Sequence, residues 1–513
     1  MSTYPPGYIL PDLNQIKKII ILGGGTSGWL SALILSKKLR NPIEIVLIED
    51  VTAGPIGVGE GTQPITANTL ANCGIPLLEW MKSSKATYKM GVELVGWSDN
   101  SYFVDNDYIQ NSILFKNVFK SVYFTDKPYT DFLKHNYVYK FAKDNLSPKL
   151  NGNLDLNFNV GPTEIGAVHF SAYDILETIK NHLPYVKHID AKIIEVETTE
   201  KGISKLIDET GQEYTADLYL DCSGFKSLLL DKVTESDNYE SYSPWLFNDR
   251  SVVIQTQYKD PKQECHPYTK ATAMNSGWAF KIPIFTRIGN GYVYSSKYIS
   301  DADAEKELRE HLNEWESPAK FIDMKCGRHK TIASKNVCAI GLSAGFIEPL
   351  EATTLSFTTL LTNHLVFGLN RQNNIWTENL MYEINKEFGD TINEFFTFVW
   401  SHYYFSTKND TEYWKDIRKL TIDDLPENIK LHLLDYYPLC TDFLFTDLNK
   451  HFSSTQWFSV INSADAYKGS STSLTKEEQE YCKYSLRLQE NKYKIAKEFC
   501  MNHYEYLQQW YNT

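Results

Sequence analysis

The chain of 513 residues is 42% hydrophobic, enough for a large core, and its length fits two to four domains or one large α/β body with insertions. With 51 Lys and Arg against 64 Asp and Glu, the formal net charge of −13 argues against general binding to nucleic acid or to acidic membranes. No apolar run reaches the roughly 20 residues of a membrane span, no signal peptide is evident, and the eight cysteines are scattered, so we expect a cytoplasmic protein without metal or disulfide sites.

The first predicted unit is a strand, a glycine turn and a helix near the N-terminus. Residues 19–22 form an apolar run that leads into Gly23, Gly25 and Gly28. This is the spacing of the dinucleotide fingerprint, in which glycines permit a tight turn, close approach of a pyrophosphate and packing of helix on strand. A second apolar run over 43–48 ends at Glu49, where a ribose-binding acid belongs. The pattern predicts nucleotide binding; the alternative is a glycine turn that serves packing alone.

Two less specific segments follow. Residues 54–64 are a second glycine-rich loop, which indicates backbone lying against a ligand or, seen alone, an ordinary surface loop. Residues 77–95 carry apolar side chains at mostly helical spacing, with Lys82, Lys85 and Lys89 among them. Most lysines on such a helix are solvated, so the spacing by itself assigns none of them a chemical role.

The middle of the chain alternates between irregular and regular segments. Residues 100–168 show weak periodicity and could cover a substrate site or form a structural cap. A helical stretch to about residue 182 and strand-like runs at 191–197, 204–208 and 218–220 come next. The last run ends in a small-residue turn at 221–225, which either returns the chain to a cofactor or simply connects two elements.

The next informative segments are a pair of strands and a strand-to-helix passage. Alternation places Trp278, Phe280 and Ile282 on one face of a strand, and residues 287–296 are its predicted hairpin partner, with a turn at residues 289–291. A buried strand from 336 then reaches a small-residue turn and enters a helix with Glu348 and Glu351 near its start, where the helix dipole would favour their ionised forms. Beyond 356 the pattern is mostly helical and ends in an amphipathic helix over 476–509.

These segments together resemble the flavin-dependent halogenases of the tryptophan-halogenase type. The resemblance runs from about residue 17 to 415, and in chain order it rests on residues 23–29, 57–62, 87–89, 221–225, 278–283, 341–354, 402–403 and 410–414. It implies an α/β fold in which a GxGxxG FAD-binding part with a mainly parallel sheet is interleaved with a sheet-containing substrate region and capped by C-terminal helices. We expect a discontinuous body over 1–415, with substrate-side excursions at 100–168 and 240–330, and a helical region over 416–513.

The resemblance also implies an activity. Members of this family receive FADH2 from a separate flavin reductase, use O2, and generate hypohalous acid from a halide at the flavin. The oxidant then reaches a lysine, matched here by Lys89, and halogenates a small electron-rich aromatic such as an indole or phenol. Glu351 matches the glutamate that assists at the arene. An aromatic content of 14% suits this reading and would also suit a homo-oligomer interface.

The remaining site residues are carried over in the same way. The residues matched to flavin contacts are Gly23, Gly24, Gly25, Thr26, Ser27, Gly28, Glu49 or Asp50, Glu60, Ile193, Leu342 and Leu355. The halide, which could be chloride, bromide or iodide, would lie on the backbone N–H groups of Thr353 and Thr354. Trp278, Phe280, Ile282 and Pro283 match the segment that separates flavin from substrate.

Three departures from the family pattern bear on specificity. Phe280 stands where the second tryptophan is usual, and Thr354 stands where many relatives have glycine. The lost glycine changes backbone freedom at the anion, so we expect bromide or iodide to be used better than chloride. The C-terminal residues that grip the amino acid in tryptophan-specific relatives have no match, which disfavours free tryptophan as substrate.

Two other functions compete: a flavin monooxygenase acting without halide, and a non-catalytic flavin- or ligand-binding protein.

Overall fold

The computed structural model describes residues 15–52, 54, 60–105, 133–134, 136–150, 167–430, 451–452, 454–463 and 475–512. Most of the excursion at 100–168 and the glycine-rich residues 55–59 lie outside this part. Across the described residues, no helix is both long enough and apolar enough to cross a membrane.

A six-stranded, mainly parallel sheet forms the first layer, as predicted from the fold resemblance. Its central strand holds the apolar run at residues 19–21, which is fully buried because helices cover the sheet. Helix Thr26–Lys38 packs against helix Thr353–Arg371, so the two ends of the predicted cofactor motif meet on this sheet. In spatial order the strands are Ala333–Ser334, Val337–Ala339, Leu218–Asp221, Lys18–Leu22, Glu44–Glu49 and Lys187–Asp190.

A seven-stranded sheet, antiparallel except for one pair, forms the second layer. It carries the strand with the alternating aromatics, Gly277–Ile284, near its centre. In spatial order its strands are Ala319–Asp323, Arg250–Thr256, Arg287–Tyr294, Gly277–Ile284, Thr269–Met274, Gly91–Val95 and Tyr102–Asp105.

Smaller sheets and further helices complete the fold. The remaining strands are Glu60–Gly61, Thr87–Tyr88, Leu146–Leu150, Val168–Phe170, Ile193–Thr199, Gly202–Asp208, Glu213–Tyr214, Tyr239–Ser241, Gly327–His329, Gly345–Phe346 and Cys500–Asn502. The remaining α-helices are Pro64–Asn72, Leu77–Ser83, Tyr137–Lys143, Ala172–Asn181, Pro261–Glu264, Asp301–Leu312, Glu378–Tyr404, Glu412–Ile417, Ser454–Asn462, Lys476–Phe499 and His503–Tyr511.

The helical prediction for residues 77–95 is wrong beyond its first two turns. The helix ends at Ser83 because Lys85 adopts a left-handed conformation with φ of 55°. The chain then forms the short strand Thr87–Tyr88, which pairs with Val168–Phe170. Lys89 therefore follows a strand end and points from a sheet, not from a helix face.

The predicted turn at residues 289–291 is also wrong. The two strands are joined at residues 285–286, since Ile284 pairs with Arg287, and both glycines lie inside the second strand. Gly291 is opposite Phe280, and a Cβ atom there would collide with the Phe280 ring. Glycine at this position makes room for an aromatic side chain on the neighbouring strand.

Two predictions about the C-terminal half need correction. Glu348 and Glu351 precede helix Thr353–Arg371 instead of lying in its first turn, and burial raises the pKa of Glu348 in place of the expected dipole-favoured ionisation. The helix predicted over 476–509 is interrupted by strand Cys500–Asn502, which pairs with Leu146–Leu150. The Asn502 side chain accepts hydrogen bonds from two backbone N–H groups and so starts a new helix.

Candidate active site

The glycine turn has the conformation that a dinucleotide site requires. Gly23 has a φ of 116°, and a Cβ atom there would collide with the carbonyl of Cys222 in the turn after strand Leu218–Asp221. Gly28 packs against the Gly23 carbonyl with no room for a side chain. At Gly25, by contrast, no described atom lies within 4 Å of the Cβ position. The structure thus leaves open space over the start of helix Thr26–Lys38, where backbone N–H groups favour an anion.

The acid at the end of the second strand lies beside this turn. The Glu49 carboxylate is adjacent to Gly24, and its Oε1 lies 2.8 Å from His188 Nε2, 3.3 Å from Lys180 Nζ and 3.3 Å from Trp29 Nε1. Asp50, the other candidate, instead accepts hydrogen bonds from Thr52, which lower the pKa of the Asp50 carboxyl. The residues present therefore fit the adenosine end of FAD, for which the dinucleotide fingerprint requires a glycine turn and an acid at the end of the second strand.

A cavity of about 220 Å³ connects the expected flavin side with Lys89. Its walls are mostly apolar and come from the seven-stranded sheet, from segments of two smaller sheets and from the start of helix Thr353–Arg371. Trp278, Phe280 and Ile282 all line it, as the alternation of their strand predicts. The other lining residues are Glu60, Gly61, Lys89, Phe225, Ser251, Val253, Thr269, Ile322, Met324, Leu342, Phe346, Pro349, Leu350, Ala352, Thr354 and Leu355.

Two ionisable groups in the cavity wall have pKa values that are shifted in favour of their uncharged forms. Lys89 is 2% exposed, and burial lowers its pKa to about 8 although the charge of Glu351 acts in the opposite direction. Its ammonium nitrogen lies 3.4 Å from the Thr62 carbonyl oxygen. Burial also raises the pKa of Glu60 to about 7. Near neutral pH the cavity therefore holds a lysine and a carboxyl group that both exchange protons readily.

Glu351 is buried at 1% exposure and faces a histidine. Its Oε1 lies 3.3 Å from His402 Nε2, and neither atom has another hydrogen-bond partner among the described residues. On the other side of the ring, His402 Nδ1 lies 2.8 Å from the Tyr102 hydroxyl oxygen. The arrangement of tyrosine, histidine and carboxylate resembles that of other sites in which a hydrogen-bonded histidine orients an acid or base.

A second buried carboxylate, Glu348, holds one of the cavity aromatics. Its Oε2 accepts hydrogen bonds from Trp278 Nε1 at 2.8 Å, Tyr403 Oη at 2.6 Å and Asn248 Nδ2 at 2.8 Å. The Trp278 ring is fixed by its N–H, so the remainder of the indole can form the cavity wall.

The start of helix Thr353–Arg371 matches an anion site in part. Ala352 precedes it in a left-handed conformation with φ of 55°, and the helix has no side-chain cap among the described residues. The Thr353 hydroxyl is buried without a described hydrogen-bond partner, while Thr354 lines the cavity. The backbone N–H groups here are thus available to a halide.

The predicted site residues that line this cavity are Glu60, Lys89, Trp278, Phe280, Ile282, Leu342, Thr354 and Leu355. The predicted residues at positions 23–28, Glu49 and Asp50 do not line it. Glu351 and Thr353 lie just behind its wall, Pro283 points away and accepts a hydrogen bond from the Thr87 hydroxyl at 2.6 Å, and Ile193 starts a separate three-stranded sheet. His402 and Glu348 received no role from the sequence. The available signals were a histidine in the aromatic-rich run 395–403 and the match of residues 402–403 to the family pattern, but its partner lies 51 residues away along the chain.

Comparison with known proteins gives one consistent result. A family model described as tryptophan halogenase matches residues 18–479. Tryptophan 7-halogenase RebH of Lentzea aerocolonigenes is 31% identical over 448 residues, covering 82% of each chain. Tryptophan 6-halogenase SttH of Streptomyces toxytricini is 30% identical over 437 residues, covering 80% of this chain and 83% of SttH. The apo structure of VirX1 has a TM-score of 0.84 and 28% identity, covering 96% of this chain and 99% of VirX1.

Proposed function

Because this chain belongs to the tryptophan halogenase family, an enzyme family of flavin-dependent halogenases, we propose that it uses FADH2 and O2 to generate hypohalous acid and halogenates an electron-rich aromatic beside Lys89. The observation that carries this proposal is the cavity that joins Leu342, Leu355 and Thr354 to Lys89. A small oxidant formed at one end would have a mostly apolar path to the other.

Different residues of this chain would bind the flavin, bind the halide and separate the arene from the flavin. When bound, FADH2 from a separate flavin reductase would supply, together with O2, the oxidising equivalent for the reaction. The glycine turn and Glu49 would hold its adenosine diphosphate part, and Thr353 and Thr354 would bind the halide through backbone N–H groups. Trp278 and Phe280 would keep the arene away from the flavin.

Lys89 and Glu351 would act on the arene. A protonated Lys89 can donate a hydrogen bond to hypohalous acid and polarise the halogen, whereas its neutral amine can carry the halogen as a haloamine. The pKa of about 8 keeps both forms accessible near neutral pH. Glu351, aligned by His402, would remove the proton that the arene loses on halogenation.

The relatives RebH and SttH are named for tryptophan, and their names state positions on its ring. We propose an indole or phenol for this chain and rank free tryptophan lower, since its C-terminal region shows no match to the amino-acid-gripping residues expected of tryptophan-specific enzymes.

The test supplies the purified protein with enzymatically reduced FAD, O2 and one halide at a time, together with a pool of indoles, phenols and tryptophan. Products are identified by mass spectrometry beside Lys89→Ala and protein-free controls. We expect halogenated products that require the wild-type protein and are lost in Lys89→Ala, with bromide or iodide turned over faster than chloride.

In Thr354→Gly we expect the relative rate with chloride to rise, because glycine restores backbone freedom next to the anion.

The outcomes separate the competing functions. Hydroxylated products without halide would identify a monooxygenase, and identical behaviour of Lys89→Ala and wild type in every assay would favour a non-catalytic binding protein. A clear chloride preference in the wild type would refute the halide hypothesis alone.

A further inference from the structure

The cavity contains a reactive group that the proposed mechanism does not use. Met324 lines the cavity, is half buried, and supplies the only sulfur atom among the described residues around it. A thioether is polarizable and nucleophilic, and it is oxidised to a sulfoxide by oxidants that leave most apolar side chains intact. Its presence in a space proposed for hypohalous acid is therefore chemically significant.

Met324 and Lys89 both line the cavity, but they lie near opposite edges of the seven-stranded sheet. Met324 directly follows the edge strand Ala319–Asp323, and its backbone N–H is fixed by a 2.8 Å hydrogen bond to the Asp249 carbonyl. Lys89 precedes strand Gly91–Val95, near the other edge. Oxidant released near Leu342 and Leu355 thus shares one cavity with two acceptors: a lysine that leads to the arene and a sulfur that does not.

We propose that Met324 is a self-oxidation site, where hypohalous acid made by the enzyme is consumed when no arene is bound. The oxygen atom is transferred to the thioether sulfur, which loses two electrons and becomes a sulfoxide. The halogen takes up those electrons and leaves as halide together with the proton. The proposal rests on the proposed function, because the oxidant is the hypohalous acid that this function supplies.

The modification changes the character of the cavity wall. Met324 lies among apolar lining residues such as Ile322 and Phe346, and a sulfoxide places a strong hydrogen-bond acceptor there. Burial of that polar group without a partner is unfavourable, so the wall must rearrange or admit water. We expect turnover to slow after oxidation, and methionine sulfoxide reductase to restore it, because methionine sulfoxide is the reversible product.

The experiment uses the full-length protein with a flavin reductase, FAD, O2 and catalase, in three arms: bromide with indole, bromide without indole, and no halide. Tryptic peptides are analysed over time for gain of one oxygen at Met324. Met381 and Met501 serve as internal controls, because they are partly buried like Met324 but do not line the cavity. Met324→Leu removes the sulfur while conserving volume.

We expect Met324 sulfoxide to form first, to require bromide, and to be at least several-fold less abundant when indole is present. Activity lost during incubation without indole should be smaller, relative to its own initial rate, in Met324→Leu. Equal oxidation of Met324 and the control methionines, oxidation without halide, or Met324 left unmodified in the arm without indole while the indole arm yields brominated product would each overturn the Met324 proposal alone. Absence of halide-dependent hypobromous acid, measured with a small-molecule trap, would overturn the proposed function, and the Met324 proposal with it.

Discussion

Lys89 is buried where its charge is unfavourable, and this has a measurable effect on stability. Its pKa falls from an ordinary value of 10.5 to about 8, which corresponds to about 3 kcal/mol. Because the folded-state pKa is lowered, the unfolded chain binds the proton more tightly between these two pH values, and stability rises with pH across that window. Below pH 8, Lys89 is charged in the folded protein, and burial of that charge lowers the free energy of unfolding by the full amount of about 3 kcal/mol.

We therefore expect Lys89→Met to be more stable than wild type at pH 7, while losing halogenation. The difference in free energy of unfolding between the two proteins should shrink by about 3 kcal/mol between pH 8 and pH 10.5, because the wild type no longer buries a charge there. Urea denaturation of both proteins at several pH values measures this difference. A pH-independent difference would show that Lys89 is not held with a lowered pKa.

His402 provides the next test at the residue level. Among the described residues, His402 is the one within ion-pair distance of Glu351 Oε1, at 3.3 Å, so His402→Phe leaves that buried oxygen without a partner. We expect the kcat for arene halogenation to fall by about 10²-fold, with halide-dependent hypohalous acid, measured with a small-molecule trap, little changed. His402→Gln retains a donor and should recover much of the loss. Equal loss in both variants would assign His402 to packing alone.

Among the elements, the two central strands of the seven-stranded sheet depend on each other. Gly291 leaves the space that the Phe280 ring fills on the neighbouring strand. Gly291→Ala should force the ring out of position and lower the free energy of unfolding by about 1–3 kcal/mol. Phe280→Leu in the same protein should relieve the clash.

A double-mutant cycle measures this coupling. We expect the double variant Gly291→Ala/Phe280→Leu to be less destabilised than the sum of the two single variants, because the smaller side chain accommodates the new methyl group. Strict additivity would mean that Gly291 is required for the backbone and not for the aromatic ring.

The same strands show what local sequence can predict. Alternation places Trp278, Phe280 and Ile282 in one cavity wall without knowledge of any partner. The pattern predicts a turn at residues 289–291 because the reason for Gly291, a ring on the neighbouring strand, is not encoded nearby. Helical spacing over 77–95 likewise gave no sign of the left-handed Lys85 that ends the helix.

At the scale of the whole molecule, long-range contacts complete the site. Local patterns predict the first strand, the glycine turn, the helix and the second strand, whereas the mainly parallel sheet is implied by the resemblance to the family. The partners of the active-site residues come from distant segments: Glu348 with Trp278, and Tyr88 with His503. Such pairs depend on how the two sheets and the C-terminal helices pack, which neither periodicity nor motif spacing specifies.

The contact between Tyr88 and His503 joins the C-terminal helix to the strand that precedes Lys89. His503 Nε2 accepts a hydrogen bond from the Tyr88 backbone N–H at 3.3 Å, and Nδ1 donates to the Cys265 carbonyl at 2.9 Å. Both bonds form only with neutral histidine protonated on Nδ1. Burial lowers the pKa of His503 to about 4, which is consistent with that form.

Because of this contact, we expect the packing of strand Thr87–Tyr88, which precedes Lys89, to be lost at acidic pH. The folded-state pKa of His503 lies below its ordinary value of 6.5, so its contribution to stability is lost as pH falls from 6.5 to about 4, by about 3 kcal/mol in total. The raised pKa of Glu60 acts in the opposite direction between its ordinary value of 4.5 and about 7, and His169, lowered by burial, acts in the same direction as His503. A comparison of variants isolates the contribution of His503 to the pH dependence of the free energy of unfolding.

His503→Gln supplies that comparison, because the glutamine amide can accept from Tyr88 and donate to Cys265 without titrating. We expect its stability to be within about 1 kcal/mol of wild type at pH 7 and to exceed that of wild type by about 2–3 kcal/mol at pH 4.5, with halogenation retained to lower pH. His503→Ala should be less stable at both pH values, since it leaves the Cys265 carbonyl and the Tyr88 N–H unpaired. If His503→Gln and wild type lose stability in parallel as pH falls, protonation of His503 does not release the C-terminal helix, and the acid sensitivity must come from His169 or from the carboxylates.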